Sequence, residues 1–361
     1  MSAVATLTAI SGLGTKGPAC FLVEADGARL LLDLGYGPQL GLWPDVSHVG
    51  RVDAVLLSHG HRDHAGALSL LPRVGNPPVY ATDIVRRGLP EGLSSFTLPL
   101  SGVRDICGIT VATGRNGHAP GGIWLHMAIG DGLLYTGDIS VESEVYAYDP
   151  PASAGTLLMD ASYGTYDTPL GAALHDFDEL FDAGPVLLPV PPAGRAPDIT
   201  LHVVRSGRGL PHIDDAVRSA LTDLAGESRE CLRPEAIAEI AAIAREAPHI
   251  AGPRGVMLAA VADATSGEAA RVVARWQSEA TPAIVFTGYI PPDTPADRLT
   301  RSGRARYLRW NVHPPLRDGI DLVRRSGART VLPAFGDARH IEAWRAAFTP
   351  AVVQLGGRVT L

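Results

Sequence analysis

Short apolar runs separated by glycine-rich polar turns mark the first third of the chain. Runs at 4–10, 19–24, 29–32 and 54–57 predict strands, followed by others at 79–81, 106–112, 123–129, 133–135 and 157–159. A helix end is expected at 68–72. One feature repeats: a histidine or aspartate stands just beyond an apolar run. Residues 54–57 open into Ser58-His59-Gly60-His61-Arg62-Asp63-His64, and 106–112 lead to Asn116-Gly117-His118. Residues 133–135 lead to Thr136-Gly137-Asp138, and 157–159 to Asp160. A rigid strand ending in a loop is a common place for chemistry. Strands this short predict a packed β-sandwich covered by helices.

From about residue 170 the rhythm lengthens. Helices are expected at 214–224, 233–246 and 266–281, and apolar residues 236, 237, 240, 243 and 244 form a helical stripe. Strands at 186–189, 199–204 and 284–286 intervene, so this region reads as α/β with a parallel sheet. After His313 the pattern predicts a strand at 329–332, a helix near 341–348 and a closing strand at 352–355.

The 361 residues suffice for two domains, and 46% hydrophobic with 19% charged residues suits a folded chain. A net charge of -7 argues against a uniformly basic protein that coats nucleic acid, while leaving room for a local basic groove. Cys20, Cys107 and Cys231 are far apart and form no metal-binding pair, which points to free thiols in a reducing compartment. The first residues lack the basic segment and apolar core of a signal peptide. No window approaches a membrane span, so a cytoplasmic location without membrane contact is expected.

The densest chemistry is the histidine run. His59, His61, Asp63 and His64 would repel and dehydrate one another unless a cation bound them, and a divalent metal is the usual answer. The spacing divides them, with His59 and His61 turned one way and Asp63 and His64 towards a second position. Two-metal hydrolysis needs such a division. His59, His61 and His118 would give three imidazoles and an open position suited to zinc. Asp63, His64 and Asp138 would hold the second ion, with Asp138 bridging. Taken alone, His118 and Asp138 also suit ordinary turns, since each follows glycine. His313 precedes a proline turn with Asp318 five residues on, an arrangement for fixing a tautomer or for general acid chemistry, although a structural role is open. His48, His126, His175, His202, His249 and His340 read as surface or core residues.

Ser58-His59-Gly60-His61-Arg62-Asp63-His64 resembles the first metal motif of the metallo-β-lactamase superfamily. Asn116-Gly117-His118 and Tyr135-Thr136-Gly137-Asp138 match its next two motifs in order. Beyond residue 150 the chain resembles the β-CASP branch, nucleases that include ribonuclease J and the endonuclease subunit of pre-mRNA 3′-end processing. Asp160-Ala161-Ser162-Tyr163-Gly164 is similar to its acidic motif. Pro191-Pro192-Ala193-Gly194-Arg195-Ala196 is similar to the segment opening its inserted domain, with Pro197 where glutamine is common. Leu210-Pro211-His212-Ile213-Asp214-Asp215, Gly255-Val256-Met257-Leu258 and Ile284-Val285-Phe286-Thr287-Gly288-Tyr289 resemble later segments, and Asn311-Val312-His313 the next histidine motif. The last family motif, Val-His-Gly-Glu, corresponds to Ala334-Phe335-Gly336-Asp337. Phe335 thus stands where the RNA-processing members carry a metal-binding histidine, whereas DNA-processing members carry valine.

This resemblance implies an αββα sandwich of residues 1–168 and 312–361, with an α/β β-CASP-like cap at 169–311 and substrate carried between the two. It implies two zinc ions, the second weakly held because Phe335 offers no nitrogen. It also implies a hydrolase, in this branch a nuclease, that cleaves phosphodiester bonds of RNA or single-stranded DNA. Asp63 would orient or deprotonate water, and His313, supported by Asp318, would bind the phosphate or assist the leaving oxygen. Asp160 would orient His118 or the metal shell. Arg195, Arg301, Arg304 and Arg306 are candidate phosphate contacts, or else parts of a solvated loop. Two rival readings remain: a small-molecule ester, amide or phosphoester hydrolase of the same superfamily, and a non-catalytic scaffold or binding member. A homodimer is also left open.

Overall fold

The computed structural model describes residues 5–361, so Val4 of the expected first strand lies outside the described residues. The chain forms two compact units. One contains the described residues up to Val141 together with Tyr148–Asp167 and His313–Leu361; the other contains Glu142–Ala147 and Thr168–Val312.

The first unit is built on two seven-stranded sheets. In one the order is Arg358–Thr360, Thr6–Ser11, Cys20–Ala25, Ala28–Leu32, Ala54–Leu56, Val79–Ala81 and Ser95–Thr97. In the other it is Val352–Val353, Thr330–Ala334, Thr156–Asp160, Leu133–Tyr135, Ile123–Met127, Ile109–Arg115 and Gly102–Ile106. Alternate residues of a strand point to opposite faces, and here both faces are covered. Leu30 and Leu32 enter the core between the sheets with Phe21, Leu56, Leu125, Tyr135, Leu158 and Leu332. Leu31 points outward, into a cluster with Val55, Val49, Leu71 and Val74. On the far side, Leu134, Leu157 and Val331 meet Leu322 and Trp344 from helices Leu316–Ser326 and Ile341–Ala347. The layers are therefore αββα, as expected. Burial on both faces explains why the strands read as continuous apolar runs.

The expected strand at 106–112 is instead two strands, Gly102–Ile106 and Ile109–Arg115, folded at Cys107-Gly108. Cys107 takes φ 53°, a left-handed conformation that its residue type does not advertise. Helix Leu316–Ser326, stopped by Gly327 at φ 65°, also went unforeseen.

The second unit carries a five-stranded, wholly parallel sheet ordered His212–Ile213, Val256–Ala259, Val186–Pro189, Ala283–Phe286 and Ala305–Tyr307. Its core joins Leu187, Met257, Ile284 and Phe286 to Val272, Val273 and Trp276 of helix Gly267–Trp276. The expected strand at 199–204 lies inside helix Arg195–Arg205. That segment is rich in β-branched residues, but nearly all-round burial overrides their weak local preference. Asp214 caps helix Asp215–Ala225 through Val217 N (2.8 Å) and takes Ala260 N (2.7 Å) on its other oxygen.

Glu142–Ala147 belongs to this unit because Asp198 holds it. The buried Asp198 carboxylate accepts from Ser143 Oγ (2.9 Å), Glu144 N (3.0 Å) and Val145 N (3.2 Å). Burial nonetheless pushes its carboxyl up to about 6. A folded-state value above the unfolded one means that the folded chain holds this proton more tightly. The stabilisation is complete below about pH 4 and is lost as pH rises through about 6, an effect of roughly 3 kcal/mol at most. Asp198→Asn should flatten that fall in urea-unfolding midpoints measured between pH 4 and 7. An unchanged pH slope in the variant would exclude Asp198 as its source.

Candidate metal centre

The histidine loop is fixed by the backbone before any side chain acts. Leu57 N donates to Tyr80 O (2.8 Å), extending the strand to Ser58. Ser58 N and Oγ both donate to the fully buried Asp33, each at 2.7 Å, while Ser58 O accepts from Ile123 N (2.8 Å) of the other sheet. The short helix Arg62–Ala65 is then clamped through its carbonyls. Tyr36 N donates to Arg62 O (2.8 Å), Ala19 N to Asp63 O (2.8 Å) and Leu34 N to His64 O (2.9 Å). Gly35 permits this approach, since a Cβ there would lie 1.7 Å from Asp63 O. His118 is set by a second tight turn. Asn116 Oδ1 accepts from His118 N (3.1 Å), and Gly117, at φ +72°, has room for no Cβ because Ser140 O would lie 2.1 Å from it.

These turns bring four imidazoles around the Asp138 carboxylate. Its Oδ2 lies 3.8 Å from His59 Nε2, 3.4 Å from His118 Nε2 and 3.8 Å from His313 Nδ1, while Oδ1 lies 3.2 Å from His64 Nε2. His61 Nδ1 is 3.2 Å from His118 Nε2. Donor atoms of His59, His61, His118 and Asp138 all fall within 4.8 Å of one another, as do those of Asp138, Asp160 and His313. His59 Nε2 is buried without a hydrogen-bond partner. An orphaned imidazole nitrogen beside a buried carboxylate fits a bound cation, and nitrogen and oxygen donors of this kind suit a divalent metal.

The electrostatics favour the ligating forms of His59, His61 and Asp138. Burial holds His59 well below the usual histidine range, with His64 and His61 adding to the effect, and burial lowers His61 as well. Neutral imidazole is the form that ligates. Burial opposes the charge on Asp138, but His64 and His313 outweigh it and keep the carboxyl well below its ordinary value. Burial likewise opposes a charge on His64, yet Asp138 and Asp33 on either side raise it well above the usual range.

The structure sorts the expected residues. His59, His61, His118 and Asp138 converge. Asp63, in the first turn of helix Arg62–Ala65, falls in neither donor group. His64 reaches Asp138 but gives Nδ1 to Asp33 Oδ2 (2.8 Å). The carboxylate on His313 Nδ1 is Asp160 (2.7 Å), where the sequence offered Asp318, and Asp160 shares a donor group with Asp138. Asp318 instead lines a cavity of about 150 Å³ with Tyr148, Leu322 and Arg325. Phe335 is buried, its ring 5.0 Å from that of His64, and His340 packs on Trp344.

The arginine stretch is mostly committed inside its own unit. Arg304 donates to the carbonyls of Trp276, Gln277 and Pro282, Arg301 pairs with Asp297 (2.7 Å), and Arg195 packs its guanidinium over Gly288. Among the four candidates, Arg304 ties off the end of helix Gly267–Trp276 through these carbonyls. Arg306 is exposed.

Sequence reasoning overlooked Asp33. It obeys the same rule as the others, a carboxylate just beyond an apolar strand, and holds Ser58, His64 and the hydroxyl of Tyr135. Burial, with Asp33 alongside, raises Tyr135 well above the usual range, so it stays a donor.

Two facing sheets with helices outside and a histidine–aspartate cluster at the strand exits define a metal-binding αββα protein. Residues 13–188 match the metallo-beta-lactamase superfamily, and the chain is similar to the β-CASP family within it. It is 27% identical over 257 residues to transcription termination factor FttA of Cenarchaeum symbiosum, covering 56% of this chain and 40% of the relative. It is 30% identical over 227 residues to a ribonuclease of Thermus thermophilus, covering 53% and 52%. It is 27% identical over 354 residues to cleavage and polyadenylation specificity factor subunit 2 of Arabidopsis thaliana, covering 78% and 47%. The chain thus spans about half the length of these curated relatives, or less. A solved structure of a protein of unknown function from Enterococcus faecalis shares the fold, with TM-score 0.63 at 14% identity over 99% of this chain and 100% of that one. Among the described residues no helix is long and apolar enough to cross a membrane.

Proposed function

We propose that this chain hydrolyses phosphodiester bonds in single-stranded nucleic acid, RNA before DNA, with zinc at the histidine cluster. The observation that carries the reading is the Asp138 carboxylate ringed by His59, His64, His118 and His313 within 3.8 Å. His59, His61, His118 and Asp138 would hold one ion. A second would rest on Asp138 and His64 and would need Asp63 to turn in from outside the donor groups, so it would be held more weakly, the more so because Phe335 supplies an aromatic edge and no donor. When bound, such ions lower the pKa of water and neutralise charge on a phosphate.

The chain's own groups do the rest. Asp63, part-buried beside the cluster, orients the attacking water or takes its proton. The group of Asp138, Asp160 and His313 could hold a cation, but the 2.7 Å hydrogen bond from His313 Nδ1 to Asp160 favours proton chemistry. With Nδ1 satisfied, His313 Nε2 is available to bind the phosphate or to protonate the leaving oxygen. Asp160 also accepts from Ser162 N (2.9 Å) and Ile139 N (3.2 Å), so His313 is positioned by a rigid anchor. The relatives named a ribonuclease, a transcription termination factor and a cleavage factor favour RNA.

Purified protein should contain between one and two zinc ions per chain and cut single-stranded RNA. Chelation should remove both metal and activity, and zinc should restore them. Stoichiometric zinc with turnover of a small ester or phosphodiester, but no cleavage of any nucleic acid, would sink the nuclease reading in favour of a small-molecule hydrolase. Protein that binds no metal would favour the scaffold reading.

A further inference from the structure

The loop after strand Ala28–Leu32 carries a patch that the metal centre does not use. Leu40 is 86% exposed and Trp43 47%, with Leu42 exposed beside them. Large apolar groups this close together on a surface mark an interaction site.

The loop is built rather than loose. Gly41 N donates to the Tyr36 hydroxyl (2.7 Å), Gly37 N to Leu42 O (2.9 Å) and Arg62 Nη2 to Pro38 O (3.0 Å). The Tyr36 ring meets Trp43 at 4.4 Å between centroids and the Arg62 guanidinium at 5.0 Å. Arg62 follows His61 directly, and its carbonyl takes Tyr36 N. The patch and the metal centre therefore share one turn of backbone.

The geometry points to a stacking platform for an unpaired nucleobase, made by Trp43 and Tyr36 with Arg62, next to the scissile phosphate. This rests on the nucleic-acid reading above. An indole offers a flat face to any base, and a nearby guanidinium adds attraction to the base face or to a phosphate. A base within a duplex has both faces covered, so the platform selects single strands. The leucines extend the apolar floor and add no charge that would repel the backbone.

Trp43 reports on its own occupancy, since the other four tryptophans, Trp124, Trp276, Trp310 and Trp344, are buried. The test is a fluorescence titration of the full chain carrying Asp138→Asn, so that the strand is not cut. The probes are a single-stranded RNA oligonucleotide and a series with one abasic position moved along it. We expect quenching by the intact strand, and binding weakened roughly tenfold at one abasic position. Adding Trp43→Ala should abolish that preference, and Trp43→Phe should restore part of it. Equal affinity for intact and abasic strands, from a chain whose unsubstituted form cuts the RNA, overturns the platform and leaves the nuclease reading standing. Neither binding nor cutting overturns both. Equal affinity for a free nucleoside monophosphate, or concentration-dependent quenching without RNA, overturns the platform in favour of a small ligand or a second copy.

Discussion

Replacing Asp138 by asparagine is expected to lower phosphodiester hydrolysis about a thousandfold or more and to reduce bound zinc. A loss of that size corresponds to roughly 4 kcal/mol in the barrier. The carboxylate is the common neighbour of four imidazoles, from 3.2 Å at His64 to 3.8 Å at His59 and His313. Asparagine keeps the shape but removes the charge. The cluster then loses the only carboxylate shared by both donor groups, and His64 loses one of the two anions that raise it. Because size is preserved the variant should still fold, with a melting temperature without metal lowered by loss of the His64–Asp138 pair. Zinc analysis and RNA cleavage on the same preparation decide the matter, and a variant that keeps full metal and full activity would remove Asp138 from the mechanism.

The second large effect falls on stability. Asp33→Ala should cost about 4 kcal/mol or more, a large share of what an ordinary domain possesses. Asp33 is fully buried and serves Ser58 N, Ser58 Oγ, His64 Nδ1 and the Tyr135 hydroxyl, so alanine strands four polar groups in the interior at once. Asp33→Asn should cost less, because one oxygen still accepts from Ser58 N. It should nonetheless impair catalysis, since an amide nitrogen would then face the His64 ring. Urea-unfolding midpoints separate the two variants, and an alanine chain within 1 kcal/mol of the parent would show that water replaces the carboxylate.

Much of this was legible in the sequence where local pattern and chemistry coincide. The apolar runs give the strands because both sheet faces are covered, and the histidine run gives the ligands because four such residues in six positions need a cation. What escaped was decided by distance along the chain. Asp160 and His313 are 153 residues apart, so spacing offered the nearer Asp318 in its place. Asp33 and His64 are separated by 31 residues and meet only because one strand exit lies beside another. Helix Arg195–Arg205 escaped for a different reason: its β-branched residues announce a strand, and only burial makes it a helix. The setting of Arg304 escaped because charge is visible in a sequence whereas the carbonyls that satisfy it are not.

Ser58 has a wider consequence. Its amide and hydroxyl are tied to Asp33 beyond one sheet, and its carbonyl to Ile123 in the other. The ligands thus rest on the seam of the sandwich, and any cation they grip must also hold the two sheets in register. By mass action, an ion bound only by the closed sandwich raises the free energy of opening it. Ion supply and resistance to unfolding are then one thermodynamic quantity, and a chain starved of metal would yield to a protease sooner than its loaded counterpart.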